Sequence, residues 1–370
     1  MELIGGVTVA KTLILQAIAK GKHVVTANKA LIAEFGDEIF AKAQAQGVTV
    51  AFEASVAGGI PIIKALREGL SANRIEWVAG IINGTGNFIL TEMRDKGRDF
   101  DDVLKEAQAL GYAEADPTFD VEGIDAAHKL AILGSLAFAM PMQFDKVFTE
   151  GISTISTLDI QYAEQLGYRI KHLGIARRLG EQVELRVHPT LIPEKCLLAN
   201  VNGVMNAVLV KGDAAGPTLY YGAGAGDEAT ASAVIADIVD IARTVHKPVT
   251  SNDASQISAS ENSASESSNA HRTITRSVLP IEAVETAYYL RLMAEDKPGV
   301  LSEITRIFSA AGISIEAVNQ KEPESGETEA TIVLLTHRAV EEALLAVVKT
   351  IEKLENVDGK VTYIRVENLQ

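Results

Sequence analysis

The chain has 370 residues, of which 47% are hydrophobic and 22% charged, and this is typical of a globular protein with two or three domains. The net charge of -15 argues against nucleic acid or an anionic membrane as a partner, and the single cysteine, Cys196, excludes an intrachain disulfide framework. We expect a cytoplasmic protein, because the longest apolar run, residues 130–142, is shorter than the roughly 20 residues that span a bilayer, and no signal peptide opens the chain.

The first 58 residues alternate between helices and strands. Residues 1–6 are typical of the end of a strand and the loop after it. Helices are predicted at 9–20 and 30–46, and strands at 23–26 and 48–54. This order predicts an α/β unit with a parallel sheet, whose carboxyl edge is where such sheets bind ligands.

Residues 59–243 show a mixed α+β pattern. Strands are predicted at 76–82, 143–148, 169–179, 184–191 and 207–212, and helices at 60–68, 87–97, 100–110, 123–140, 156–166 and 227–243. The next stretch, 244–284, contains eight serines between positions 251 and 269 and almost no large apolar side chains there. Such a composition cannot bury enough surface to become ordered, so we expect a flexible linker.

Residues 285–370 are predicted to form an independent ferredoxin-like unit with the order βαββαβ. Its strands are predicted at 288–294, 313–320, 329–336 and 360–366, and its helices at 300–311 and 340–354. The unit resembles an ACT domain, an amino-acid sensor, most clearly in the D-K-P-G turn at 296–299. The turn is either a helix start with Pro298 in its first turn or a backbone-amide site for an amino-acid effector at a subunit interface. The resemblance favours the effector site.

The stretch 111–129 carries five carboxylates and then Lys129, which lies in an otherwise apolar helical run. Asp125 precedes this lysine by four residues, so both side chains lie on one face of a helix. An acid–base pair at this spacing is most often an exposed salt bridge. Because the neighbours here are alanine, leucine and isoleucine, we favour a partly buried pair at the edge of a pocket.

The run G-Y-A-E-A-D-P-T-F-D-V-E-G-I-D from residue 111, followed by Lys129, resembles the signature of homoserine dehydrogenase. The resemblance covers the chain up to about residue 243. It implies that Lys129 is the proton donor and that Glu114 and Asp125 hold the amino-acid substrate. Asp120 is expected in the same polar lining.

The resemblance also assigns the two units before the linker. Residues 1–58 are expected to be the remainder of a truncated, Rossmann-like NAD(P)-binding domain, because the G-x-G-x-x-G turn that opens such a domain is missing from the sequence. Residues 59–243 are expected to be the catalytic and dimerisation domain. The choice between NADP and NAD stays open, because the discriminating residue belongs to the part expected to be missing.

Thr26, Asn28 and Lys29 belong to a T-A-N-K run between a predicted strand and a predicted helix. On spacing alone, Lys29 is an ordinary solvated lysine. The resemblance implies instead that it reaches the active site beside the nicotinamide, with Thr26 and Asn28 also at the cofactor. Gly111 and Gly226 are further cofactor-binding residues that the resemblance implies, although the loop around Gly226 is equally compatible with a flexible lead-in to a helix.

Glu53 ends a predicted strand and is followed by a glycine-rich turn, which on its own is typical of a tight strand-to-helix connection. The resemblance implies a monovalent cation here, sodium, with a structural role at the hinge between two domains. Its ligands would be the side chain of Glu53 and the carbonyls of Val56, Gly58 and Ile60.

The N-G-T-G-N loop at 83–87 is expected to lie on the substrate side and to open a helix with Asn87 as its cap. The seven histidines show no metal-binding spacing, which argues against a catalytic zinc.

The resemblance predicts NAD(P)H-dependent reduction of L-aspartate 4-semialdehyde to L-homoserine, a step toward threonine, methionine and isoleucine. It implies a homo-oligomer, a dimer or a tetramer, with threonine as the effector of the ACT unit. The first alternative is a regulatory or assembly subunit that senses an amino acid without catalysis, and a cofactor titration would separate the two. A different semialdehyde or 2-oxo acid dehydrogenase is a third interpretation, which substrate profiling would test.

Overall fold

The N-terminal unit is a small parallel sheet with a helix ahead of each strand. The computed structural model describes residues 1–245, 275–321 and 329–369. The first elements are α1 (Thr8–Ala19), β1 (Val24–Val25), α2 (Lys29–Ala45) and β2 (Val50–Ala51). Strands β1 and β2 pair in parallel, and Glu2 adds a single parallel bridge to Thr26. Ile14 and Ile18, one turn apart on α1, are buried in the core of this unit.

A twelve-stranded sheet runs through the rest of the described chain. Its first strands are β3 (Ile75–Ile81), β4 (Phe148–Thr149), β5 (Tyr168–Leu179), β6 (Gln182–Pro193), β7 (Met205–Gly212) and β8 (Gly216–Ala223). The order β6-β5-β3-β7-β8 is antiparallel throughout. Because side chains alternate along a strand, Val78 and Val208 join the core on one face of the sheet, and Ile81 and Ala207 join a separate core on the other face.

Helices cover the face of the sheet that carries Val78 and Val208. They are α3 (Ile62–Lys64), α4 (Gly84–Lys96), α5 (Phe100–Ala109), α6 (Thr118–Val121), α7 (Ile124–Phe138), α8 (Thr157–Gln165) and α9 (Asp227–Val245). Helix α7 lies against β3, β5 and β6, and its Leu130 and Leu133 are buried in the same core. No helix in the described ranges is both long and apolar enough to cross a membrane.

The predicted linker is only partly visible, because residues 246–274 lie outside the described residues. Residues 275–284 are structured, so the flexible segment does not extend to 284 as predicted. Strand β9 (Ser277–Val278) pairs in parallel with β6. The buried guanidinium of Arg276 donates hydrogen bonds to the carbonyls of Phe138 at 3.4 Å and Gly180 at 3.0 Å. These bonds attach the segment to the sheet.

The C-terminal unit has the predicted βαββαβ order, with one additional two-residue strand ahead of its second helix. Its elements are β10 (Glu285–Glu295), α10 (Val300–Ala310), β11 (Ile315–Gln320), β12 (Glu329–Thr336), β13 (Ala339–Val340), α11 (Glu341–Ile351) and β14 (Val357–Val366). The strand order β11-β12-β10-β14 is antiparallel. At the end of β14, Arg365 and Val366 pair in parallel with Thr190 and Leu191 of β6, so the two sheets are continuous.

Buried ion pairs fix the C-terminal unit to the middle sheet. Glu367, just after β14, accepts hydrogen bonds from Arg186 of β6 and from Arg177 of β5, the second at 2.8 Å. Burial works to raise the pKa of Glu367, but the two guanidinium groups outweigh it and lower the pKa to about 2. Arg365 extends the connection, since it binds Glu150 ahead of α8 at 2.8 Å and Glu341 of α11.

Two predicted elements differ from the structure, and strand β8 was not predicted. The strand predicted at 143–148 is a 3-10 turn at Phe144–Lys146 followed by the two-residue β4, and the Phe144 ring stacks on His128 at 4.0 Å instead of continuing a strand. The helix predicted at 60–68 is the short α3 followed by a π-turn. Strand β8 is absent from the prediction because Pro217 and two glycines, Gly216 and Gly222, obscure its pattern, and an edge strand tolerates such residues.

We predict that Glu367→Gln lowers the free energy of unfolding by about 3–5 kcal/mol, because Arg186 would stay buried without this carboxylate. The stabilisation from Glu367 is complete above its unfolded pKa of 4.5 and is lost as the pH falls toward 2, since its folded pKa is depressed. Urea denaturation at neutral pH measures the loss. Glu38→Gln, which removes exposed ion pairs with Lys11 and Lys42, is the control and should shift the midpoint far less. Equal midpoints for the two variants would contradict the prediction.

Candidate active site

The pair Asp125 and Lys129 lies in the first two turns of α7 and is buried, with exposed fractions of 4% and 8%. Nζ of Lys129 donates to Oδ2 of Asp125 at 2.7 Å and to the carbonyl oxygen of Ile82 at 2.7 Å. Gly123 precedes the helix at φ 82°, a conformation that favours glycine. The predicted burial of the acid–base pair is therefore confirmed, and Ile82, the residue directly after β3, is a partner that the sequence did not indicate.

Asp125 has a second cationic partner, which comes from the N-terminal unit. Nζ of Lys29, the first residue of α2, lies 3.1 Å from Oδ1 of Asp125 and 5.5 Å from the centre of the Phe119 ring. Burial works to raise the pKa of Asp125, but Lys129 and then Lys29 outweigh it and lower the pKa to about 2. The carboxylate is therefore ionised at any physiological pH, and it links the two units by charge.

Asn83 joins two of the predicted carboxylates. Its Nδ2 donates to Oδ1 of Asp120 at 2.7 Å and to Oδ2 of Asp125 at 2.8 Å. Its Oδ1 accepts an N–H from the first turn of α4 at 2.7 Å, so Asn83 is the cap of this helix and the predicted cap, Asn87, is wrong. Burial raises the pKa of Asp120. The preference of asparagine for cap positions is the signal that could have identified Asn83.

Glu114 is not brought to this cluster. It lies on the exposed loop between α5 and α6, and its side chain makes no hydrogen bond or ion pair with any described residue. Gly111 begins this loop at φ 75°, directly after α5. The loop is attached near the cluster through Tyr112, whose carbonyl accepts a hydrogen bond from Thr85 of α4 at 2.6 Å.

Thr26 and Asn28 shape the loop between β1 and α2. The buried hydroxyl of Thr26 donates to Glu2 at 2.6 Å and accepts the N–H of Asn28 at 3.0 Å. Asn28 caps α2 by accepting the N–H of Leu31 at 3.1 Å and donates to the carbonyl of Gly6 at 2.7 Å. These bonds hold the first residue of α2, Lys29, at the carboxyl edge of the small sheet and direct it toward Asp125.

The glycine-rich loop between β8 and α9 lies against the turn that follows Glu53. The N–H of Gly59 donates to the carbonyl of Ala223 at 2.9 Å. A Cβ on Gly58 would lie 2.7 Å from the carbonyl oxygen of Gly224, so the two segments approach too closely for a side chain. Gly226 is exposed at φ 114° just before α9.

The side chain of Glu53 already accepts two backbone hydrogen bonds. Its oxygens receive the N–H groups of Ile63 at 2.9 Å and Lys64 at 3.0 Å, and burial raises its pKa to about 7. Of the predicted carbonyl ligands, that of Ile60 accepts the N–H of Ile62 at 2.7 Å. The carbonyls of Val56 and Gly58 accept no hydrogen bond from the described part of the chain.

The structure thus brings Lys29, Asp120, Asp125 and Lys129 together, whereas Glu114, Gly111 and Gly226 are exposed and make no described contact with this cluster. Within the ranges that the structure describes, no group of three or more histidine, cysteine, aspartate or glutamate side chains is arranged to hold a metal ion. The cluster therefore combines ammonium donors with carboxylates, a chemistry suited to a polar substrate and to proton transfer.

Comparison with known proteins gives a consistent result for every part of the chain. The family model described as homoserine dehydrogenase, NAD binding domain, matches residues 1–53, that of homoserine dehydrogenase matches 61–239, and that of the ACT domain matches 288–356. The homoserine dehydrogenase of Pseudomonas aeruginosa is 61% identical over 100% of this chain and 83% of its own length.

Solved structures with a similar fold are also homoserine dehydrogenases. The crystal structure of a homoserine dehydrogenase from Thiobacillus denitrificans is 60% identical, with a TM-score of 0.90 over 100% of this chain and 82% of that one. A hyperthermophilic archaeal homoserine dehydrogenase mutant in complex with NADPH is 29% identical, with a TM-score of 0.58 over 65% of this chain and 71% of that one. On this identity and coverage, the chain belongs to the homoserine dehydrogenase family.

Proposed function

We propose that this chain reduces L-aspartate 4-semialdehyde to L-homoserine, a step toward threonine, methionine and isoleucine, with NADPH or NADH as the hydride donor. The observation that supports the proposal most directly is the buried pair of Lys129 and Asp125 on α7. The match of residues 1–53 to an NAD-binding domain, and the NADPH bound to an archaeal relative, support the cofactor.

Lys129 is the proposed proton donor. An ammonium group has three N–H donors, and within the described residues Lys129 uses two of them on Asp125 and on the carbonyl of Ile82. The third N–H is free for the aldehyde oxygen of the substrate, where negative charge develops during reduction. The nicotinamide supplies the hydride when it is bound. Asp125 and Ile82 keep the nitrogen in place while the proton leaves.

Asp125, Asp120 and Glu114 are the proposed ligands of the substrate's α-ammonium group. Asp120 is half-buried and uses Oδ1 for Asn83, which leaves its second oxygen for the substrate. Glu114 would approach when its exposed loop closes over the bound substrate, and Gly111 gives that loop a flexible start. Closure would also exclude water from the reacting carbon.

We propose that the carboxyl edge of β1 contributes to the nicotinamide side of the cofactor site. Lys29, 34% exposed in its side chain, supplies positive charge beside the site, and Thr26 and Asn28 fix the loop that carries it. We propose that these three residues, together with Gly111 and Gly226, contact NADP or NAD. Without side chains, the two glycines allow close approach of their backbones to the ligand.

We expect Lys129→Ala to lower kcat by about 10²–10⁴-fold and to change KM little, because the lost proton donor acts mainly in the transition state. Lys42→Ala is the matched control. It removes a lysine at the same spacing from a carboxylate, Glu38, on an exposed helix face, and its kcat should equal that of the wild type.

Steady-state assays with L-aspartate 4-semialdehyde, and a titration of each protein followed by NADPH fluorescence, carry out this test. Both variants should bind NADPH as the wild type does. Turnover of Lys129→Ala close to that of the wild type would remove this residue as the proton donor. A wild-type chain without saturable NADPH binding would instead support the amino-acid-sensing alternative.

We also propose a monovalent cation, sodium, at the turn after Glu53, where it would stabilise the hinge between the N-terminal unit and the sheet. The unpaired carbonyls of Val56 and Gly58 in the described chain and the desolvated carboxylate of Glu53 support it, since hard cations take oxygen ligands. Ile60 would add a carbonyl that it shares with a backbone N–H.

Glu53 should make stability depend on pH. Its folded pKa of about 7 lies above the unfolded value of 4.5, so the folded chain keeps a proton that the unfolded chain loses, and stability falls as the pH rises between these values. We expect Glu53→Gln to flatten this fall. Above the folded pKa, sodium chloride should raise the Tm of the wild type more than tetramethylammonium chloride does, and Glu53→Gln should not distinguish the salts.

Glu68→Gln is the control for this measurement, because Glu68 is an exposed carboxylate that lines the same cavity as Glu53. It should behave as the wild type does in both salts. An equal response of wild type and Glu53→Gln to sodium would contradict the cation site.

The C-terminal unit is the proposed sensor of an amino acid, threonine, in a cytoplasmic homo-oligomer that is a dimer or a tetramer. A cavity of about 300 Å³ lies at the start of α10, between the D-K-P-G turn and Gln320. Gly299 precedes α10 at φ 100°, and Gln320 donates to Asp296 at 3.0 Å. The N–H groups at this helix start and the acidic side chain together suit an amino acid's carboxylate and ammonium groups.

We expect threonine to bind this cavity and Asp296→Ala to weaken the binding by about tenfold or more, because it removes the counter-charge of the ammonium group. Isothermal titration of the whole chain measures both affinities. Glu342→Ala, on the exposed side of α11, should leave the affinity unchanged. Tighter binding of another amino acid would reassign the effector, and equal affinities of the two variants would contradict this site.

A further inference from the structure

The side-chain amide of Asn206, near the start of β7, is buried and unpaired. It is 1% exposed, and neither Nδ2 nor Oδ1 finds a hydrogen-bond partner among residues 1–245, 275–321 and 329–369. Buried side-chain amides are normally paired, because a desolvated donor or acceptor without a partner opposes folding. An asparagine at such a position is compatible with a polar partner that the described chain does not supply.

Asn206 lies on the side of the sheet that carries the active-site helix. Val208 and Val210, which follow it at intervals of two, belong to the same core as α7. Because alternate residues of a strand share a face, the Asn206 side chain points to that face as well. An apolar residue would be expected there from the pattern of β7, so the polar amide breaks the alternation.

The strand pairing brings Asn206 close to the anchor of the catalytic lysine. Ala207 pairs with Ile81 across β7 and β3. Because the pairing is antiparallel, the next pair in this register is Ile82 with Asn206. Their backbones are therefore separated by roughly 5 Å, the distance between neighbouring strands. The carbonyl of Ile82 accepts the hydrogen bond from Lys129.

Two glycines of the surrounding loops lie directly against the amide of Asn206. A Cβ on Gly224 would lie 1.9 Å from Nδ2, and a Cβ on Gly84 would lie 3.6 Å from Oδ1. Gly84 follows Asn83, which holds Asp120 and Asp125. The amide is therefore located between the substrate-side loop and the glycine-rich loop that leads to α9.

We propose that Asn206 binds the carboxamide of the nicotinamide ring and so fixes which face of the ring meets the aldehyde. The inference rests on the proposed function. A primary carboxamide offers one donor group and one acceptor, so it can satisfy both atoms of an asparagine amide at once. A carboxylate would satisfy only Nδ2, and an ammonium group only Oδ1. The ring reaches Asn206 when the loop at Gly224 moves away from it.

The test compares Asn206→Leu, which has a similar shape and no polar atoms, with the wild-type chain by fluorescence and calorimetric titration. The variant should bind NADPH about tenfold more weakly. It should bind 2′-phospho-ADP-ribose, which has no nicotinamide, as the wild type does. The wild type should prefer NADP⁺ over its 3-acetylpyridine analogue, which lacks the amide N–H, and the variant should not.

A stability measurement separates this role from a structural one. Asn206→Leu should keep or raise the Tm of the cofactor-free chain, because it removes two unpaired polar atoms. Asn87→Leu is the matched control. Asn87 is equally buried, but its Nδ2 donates to carbonyls of the loop at 201–205, so its replacement should lower the Tm.

The outcomes distinguish the two proposals. Two results would overturn the role of Asn206 while the proposed function stands, provided that the wild type binds NADPH. In the first, Asn206→Leu binds NADPH as tightly as the wild type does. In the second, its affinity for 2′-phospho-ADP-ribose falls by the same factor as its affinity for NADPH. A clear drop in Tm for Asn206→Leu would likewise overturn it in favour of a structural amide. If the wild type binds no nicotinamide cofactor, the proposed function fails and this ligand assignment fails with it.

Discussion

The ionised carboxylate of Asp125 is the contact on which the rest of the site depends. It binds Lys29 of the N-terminal unit, Lys129 of its own helix and Asn83 at the start of α4. Without this charge, the ammonium groups of Lys29 and Lys129 would lie near each other with no anion between them, and like charges repel. One buried anion therefore holds Lys129 of its own helix and Lys29 of the N-terminal unit at the same place.

The sign of the charge in this cluster also suits the chemistry. The ammonium groups of Lys29 and Lys129 around the carboxylate of Asp125 carry a net positive charge. Reduction of an aldehyde produces a negatively charged oxygen, which such a charge stabilises. Asp120 is bound to the same asparagine as Asp125, and burial raises its pKa. The arrangement is in place before any ligand arrives, since α4, α7 and the loop after β1 hold each group by backbone and capping bonds. Preorganised dipoles and charges of this kind need no rearrangement when the charge develops.

The sequence predicts those parts of the fold that local patterns determine. The helix that carries Asp125 and Lys129 follows from apolar spacing, and the burial of the pair follows from its neighbours. The short length of β4 and the existence of the edge strand β8 could not be predicted in this way. The first depends on the stacking of Phe144 on His128 and the second on pairing with β7, and both are contacts between separate elements. The same limit applies within the site. Only the fold brings Lys29 and Asn83 to Asp125, across 96 and 42 positions of the chain respectively, and the family resemblance indicated Lys29 before its partner could be known.

The buried polar groups of this chain fall into two classes, and the difference indicates what each is for. At the junction of the sheets, Arg186 and Arg365 have carboxylates on more than one side, so burial there fixes an arrangement. Glu53 and Asn206 differ from these arginines. Burial raises the pKa of Glu53 to about 7, and the amide of Asn206 lacks a hydrogen-bond partner among the described residues. A chain selected for stability alone would not place such groups in its core. Both features are expected if ligands, and not the chain, complete their bonding: the proposed cation at Glu53 and the proposed cofactor at Asn206.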